Sequence, residues 1–263
     1  MRQTFLVLAL LVLALPVAAA DKPSAAKAPP GPPAAANLEA PHEYSTCLTL
    51  AKTSPEDGWE EALAWQSMGG GEAARHCAAV ALIGMRRYED AGNRLESLAN
   101  ESVRDDATRA EMFAQAGQAW LLLGNVQRAD AAQRAALKLL PGAPELLLDH
   151  AVTLAQVHHY KEAVDELSDL LRRQPNRIEA MTLRASAYRY LDKLGAAEAD
   201  LSRALELDPG FADALVERGM VRRLKGDTDG ARADWLMVVK SVPSGPVLEE
   251  AQRNLELLDV KQK

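Results

Sequence analysis

Prolines recur at Pro141, Pro175, Pro209 and Pro243, each 34 residues after the last. A fixed period of that length marks a stack of two-helix units, because one such unit cannot bury its own apolar face and must lean on a copy of itself. Numbered so that the proline falls at position 32, the units run 110–143, 144–177, 178–211 and 212–245. Position 20 is then Ala129, Ala163, Ala197 and Ala231, and position 8 is Gly117, Ala151, Ala185 and Gly219. Small residues at these two positions let antiparallel helices approach closely. Larger ones at positions 24 and 27, such as Leu167 and Leu170, fill the seam to the next unit. Carried backwards, the register gives a unit over 72–109 with Ala79, Tyr88 and Ala91 at positions 8, 17 and 20. A shorter one over 43–71 keeps Trp59 and Ala62 at positions 17 and 20.

Composition agrees with helices packed through small side chains. The chain is 48% apolar but only 5% aromatic, with 3 Phe, 5 Tyr and 4 Trp, which disfavours a strand-rich core. The turns agree as well. Leu123-Gly124-Asn125 and Leu224-Lys225-Gly226-Asp227 stand where a first helix must end in a left-handed residue, and Leu207-Asp208-Pro209-Gly210 separates two units. Beyond Gly245, apolar residues at Val247, Leu248, Ala251, Leu255 and Leu258 fall at helical spacing, so 246–259 reads as a helix capping the last open face.

In these letters the chain resembles the tetratricopeptide repeat family, as in AMTLRASAYRYLDKLGAAEADLSRALELDPGF over 180–211. The resemblance covers roughly 200 residues. It implies an all-α, right-handed superhelical solenoid of about six helix pairs, the first degenerate at Gly69-Gly70-Gly71, with the first helix of each pair lining a concave groove.

The N-terminus carries an address. Met1-Arg2, an apolar stretch from Phe5 to Leu15 and the small residues Ala18-Ala19-Ala20 read as a signal peptide over 1–20, too short to span a bilayer comfortably. Residues 21–42, rich in Pro and Ala, read as an extended linker. The expected location is exported and periplasmic, the alternatives being secretion or tethering by an uncleaved signal. No membrane insertion is expected after cleavage. Export also places Cys47 and Cys77, the only cysteines, where disulfides persist. They fall at position 5 of the first unit and position 6 of the second, on neighbouring first helices, which predicts a Cys47–Cys77 bridge.

Catalytic chemistry is hard to find. His42, His76, His150, His158 and His159 show no zinc-binding spacing, Gly69-Gly70-Gly71 lacks the Lys-Ser/Thr of a phosphate loop, and no G-x-S-x-G elbow occurs. The net charge of -7 argues against nucleic acid, which needs a basic face. No enzyme activity, metal or cofactor is expected. The resemblance places the groove at positions 2, 5, 9, 12 and 13 of each first helix. That gives candidate groove residues Glu111, Gln118, Glu145, Gln156, Glu179, Arg189, Tyr190, Asp213 and Arg223. Position 2 is acidic four times running, either to stabilise helix starts or to form an acidic rail. Related co-chaperones clamp a terminal carboxylate with Lys and Asn; acids stand here instead, so that function is not carried over. Arg189, Tyr190 and Arg223 remain as a pocket able to bind a carboxylate or stack on a side chain.

The expected function is a non-enzymatic protein-binding scaffold or adaptor of the bacterial envelope, its partner a protein or peptide. The alternatives are a self-associating structural module, with a homo-oligomer as its consequence, or an accessory factor to an envelope enzyme or metal pathway.

Overall fold

A computed structural model describes residues 41–260. The segment read as a signal peptide and the segment read as a linker up to residue 40 lie outside the described residues. The described residues form helices and no strand, in an order of two-helix pairs. The first pairs are α1 (Pro41–Thr53) with α2 (Pro55–Ser67), α3 (Gly71–Gly84) with α4 (Tyr88–Glu101), and α5 (Asp106–Leu123) with α6 (Val126–Leu139). There follow α7 (Pro144–Gln156) with α8 (Tyr160–Arg173), α9 (Ile178–Tyr190) with α10 (Leu194–Leu207), and α11 (Ala212–Leu224) with α12 (Thr228–Ser241). A last helix, α13 (Pro246–Val260), packs on both α11 and α12. Each helix packs on its sequence neighbour. Among the first helices, α1 meets α3, and α7, α9, α11 and α13 meet in succession, which makes the stack a solenoid. Helix α1 begins at Pro41, so it takes in the last two residues of the segment read as linker.

The period has a packing cause that can be read position by position. Ala62, Ala91, Ala129, Ala163, Ala197 and Ala231 at position 20 are all buried. A methyl group added at Gly219 would lie 2.3 Å from Nε1 of Trp235, and one at Gly117 2.7 Å from Cγ of Gln133. Both neighbours belong to the second helix of the same unit, so the close approach is within the pair.

The turn inside each pair repeats as well. Position 15 has a left-handed backbone in five consecutive units: Arg86 (φ 59), Gly124 (φ 83), His158 (φ 63), Asp192 (φ 58) and Gly226 (φ 89). Only two of the five are glycine, because the 34-residue frame imposes the conformation whether or not the residue favours it. Among the described residues, side-chain caps are seen at the starts of α5, α6 and α12: Asp105 accepts from the Thr108 amide, Asn125 from Arg128 and Asp227 from Gly230. The cap at Asp105 also makes α5 longer than its unit, so Glu111 lies beyond the first turn and does not stabilise that helix start. Glu145, Glu179 and Asp213 do stand in first turns.

The two cysteines are bridged, with Cα atoms 6.1 Å apart. The bond ties α1 to α3 where the repeat is least regular. Beside it a polar chain crosses three first helices: the Tyr44 hydroxyl lies 2.7 Å from Nδ1 of His76, and Nε2 of His76 lies 2.7 Å from Oε1 of Gln115. An amide oxygen can only accept, so Nε2 carries the proton and Nδ1 accepts from the tyrosine. Burial lowers the His76 pKa and keeps the ring neutral.

Candidate binding groove

Four of the candidate groove residues, Glu111, Gln118, Glu145 and Tyr190, are exposed, and Gln156, Glu179, Arg189, Asp213 and Arg223 are half-buried. The acidic row at position 2 is not a free rail. Arg177 reaches across it, holding the Glu145 carboxylate with both terminal nitrogens at 2.9 Å and Glu179 through Nε at 2.9 Å. Its middle is therefore half neutralised, one cation serving two carboxylates. At its ends the acids are less compensated. Burial, then the Glu217 charge, raises the Asp213 pKa, and burial with Glu217 does the same to Glu250 of α13.

A further acid, Asp149, sits one turn from Glu145 on α7 and was absent from the sequence reading. Desolvation, reinforced by Glu145, pushes its carboxyl up to about 6. Its side chain still reaches solvent, so this is the desolvation of a crowded wall and not of a core. Its position in the unit, 6, would have been found by asking which residues share a helix face with position 2.

The arginine pocket is corrected. Arg189 is not available to a ligand: its Nε and Nη2 hold Glu217 of the next unit at 2.9 and 3.2 Å, and Ser186 shares that carboxylate at 3.0 Å. Burial works against the Arg189 charge, but Glu217 outweighs it and holds the guanidinium above the ordinary arginine pKa. Tyr190 lies flat on Tyr160 with ring centres 4.5 Å apart, and the Arg189 guanidinium sits 4.4 Å from the Tyr190 ring. Arg223 occupies the same position in the next unit. There α13 places Ala251 where α11 placed Glu217, so Arg223 has no ion pair among the described residues and its buried Nε has no hydrogen-bond partner. The three residues thus form no common pocket.

The register also hides a set of intra-unit clamps. Position 7 of a first helix pairs with position 23 of its own second helix in three units: Arg184 with Asp200, Arg218 with Asp234, and His150 with Glu166. The fixed separation of 16 residues was available in the sequence, but nothing in a single pair announces it. Among the described residues no three His, Cys, Asp or Glu side chains converge as a metal would require. No helix there is long and apolar enough to cross a membrane.

Residues 178–211 match the family model described as tetratricopeptide repeat. Over 125 residues the chain is 30% identical to a tetratricopeptide repeat and J domain-containing co-chaperone of Fusarium oxysporum f. sp. lycopersici, covering 45% of this chain and 24% of the relative. The match thus spans about a quarter of that relative's length. Among solved structures, MamA (residue 41 to the end) from Desulfovibrio magneticus RS-1 superposes with a TM-score of 0.58 at 23% identity, over 66% of this chain and 97% of that one. YrrB, a tetratricopeptide-repeat protein whose structure is described as having an unusual peptide-binding site, superposes with a TM-score of 0.55 at 18% identity, over 72% and 96%.

Proposed function

From the premise that this chain is a tetratricopeptide-repeat protein, we propose that it is a non-enzymatic adaptor of the bacterial cell envelope, exported by its N-terminal signal and binding a protein or peptide along its concave groove. The observation that carries this reading is the uncovered face of successive first helices. Glu111, Gln118 and Glu145 stay exposed there, and Arg223 has no ion pair among the described residues. A solenoid surface of this kind presents hydrogen-bonding and charged groups in fixed order to an extended or helical segment. The co-chaperone relative and the peptide site of YrrB support it, as does the layout of residues 1–20.

The test is crosslinking in the cell of origin. A photoreactive residue at Gln118 or Gln156 should capture a discrete partner, and one at Lys138 or Glu206 on second helices should not. Equal capture from both sets, or none from the groove, would refute groove binding. The mass of the purified native protein reports on export: a chain beginning at Asp21 supports it, and an intact Met1 in the cytoplasm overturns it.

A further inference from the structure

His150 occupies position 7 of its unit, where the next two units carry Arg184 and Arg218. Those arginines make clamps that do not titrate in the physiological range. In unit 144–177 the cation is an imidazole, and it serves two elements. Nδ1 lies 2.9 and 3.0 Å from the two oxygens of Glu166 on α8, and Nε2 lies 2.9 Å from Oδ1 of Asp130 on α6. A carboxylate only accepts, so both ring nitrogens must donate and the ring must be the imidazolium. The side chain is 1% exposed, and water cannot readily take over either bond.

The same place is a seam of the apolar core. One buried cluster runs from Leu147 on α7 to Leu258 on α13, and another ends at Ala136 on α6; only half-buried residues such as Leu137 and Leu146 bridge the two. Unit 110–143 has Ala116 and Ala132 where the three units after it have a clamp, and at position 24 it buries Gln133 with Oε1 unpartnered among the described residues. Unit three therefore meets unit four mainly through half-buried apolar residues, and the imidazolium is the buried polar pin between them, beside the more exposed Arg134–Glu162 pair.

We propose that the junction of α6 and α7 is a proton-operated joint: His150 as the imidazolium pins Asp130 and Glu166 together, and loss of its proton releases Asp130 and lets the N-terminal units swing against the rest. Asp130 is the carboxylate released because it has a second partner, Arg134, at 2.9 Å on its own helix. The charged groups that act on the ring are Asp130 and Arg134 from α6 and Glu166 from α8, with Glu162 of α8 held in turn by Arg134. Burial opposes the ring's charge, but Glu166 and Asp130 outweigh it and raise its pKa above the ordinary 6.5. Stability from this group is therefore complete below 6.5 and is lost as pH rises through the raised value. The direction of the joint is set: closed in acid, open in base.

The full chain tests this directly. Nitrogen NMR of the wild-type imidazole should show both ring nitrogens of His150 protonated at pH 6.5 and the proton lost only above it, and a neutral tautomer predominating at or below pH 6.5 would overturn the proposal whether or not any variant folds. Amide exchange, corrected for intrinsic rates, should show protection of α6 and α7 falling by on the order of tenfold above the His150 transition, as expected for one lost charge-assisted bond. In His150→Arg the clamp should resemble those of the next two units and that fall should vanish. The same pH dependence in His150→Arg would refute the joint.

Discussion

Gln133 stands at position 24, where the other regular units place Leu95, Leu167, Leu201 and Trp235. It is buried, and its Oε1 has no partner among the described residues. An unmet buried acceptor costs about 1 to 3 kcal/mol, so Gln133→Leu should raise stability by about 1 to 2 kcal/mol in urea denaturation. A loss of stability there would mean that the amide is satisfied. The opposite case is Arg189, whose pair with Glu217 is largely withdrawn from water, at 13% and 15% side-chain exposure. Removing one member leaves the other charge buried, so Arg189→Ala should destabilise by roughly 2 to 4 kcal/mol. The double variant with Glu217→Ala should recover part of that, and additive losses would show that the two side chains do not act as a pair. Both residues belong to the same lesson: what a side chain contributes here depends on whether the neighbouring unit brings it a partner.

For the helix pair, the decisive quantities are the backbone turn and the distance of approach. Arg86 is exposed and held at φ 59, a conformation that costs a residue with a Cβ roughly 1 to 2 kcal/mol. Arg86→Gly should therefore stabilise by about 0.5 to 1 kcal/mol, part of the gain being offset by the freer unfolded chain. At the other end of the scale, Gly219→Ala sets a methyl group against the Trp235 ring, which is buried and donates Nε1 to the Val216 carbonyl at 3.1 Å. That ring cannot retreat without losing its bond, so a loss of about 1 to 3 kcal/mol is expected, despite alanine's better helix propensity. Thermal unfolding of the two single variants checks both signs; a Gly219→Ala protein with an unchanged midpoint would mean that α11 and α12 can move apart.

Across the whole molecule, stability is a sum over neighbours, and the disulfide acts on one end of it. Cys47 and Cys77 are separated by 30 residues, so the bridge constrains the unfolded chain by roughly 3 to 4 kcal/mol in the chain-entropy model. Reduction should loosen α1 to α3 and leave exchange in α9 to α12 unchanged; a uniform loss along the chain would show that the solenoid unfolds as one unit. The sequence by itself determined the helix pairs, their number, the capping helix and the cysteine pairing. These follow from a period and from small residues at fixed positions, and such properties are local or repeat at a known interval. It did not reveal which charged groups are free. Arg189 reads as a ligand anchor along one helix, and it is occupied only because Glu217 arrives from the next unit. His150 reads as an isolated histidine, and it becomes a pin only because α6 and α8 bring carboxylates to both of its nitrogens. A register tells which face a side chain occupies; its partner is decided by the geometry of stacking, because the distance between units in space is set by packing and not by the count of residues between them.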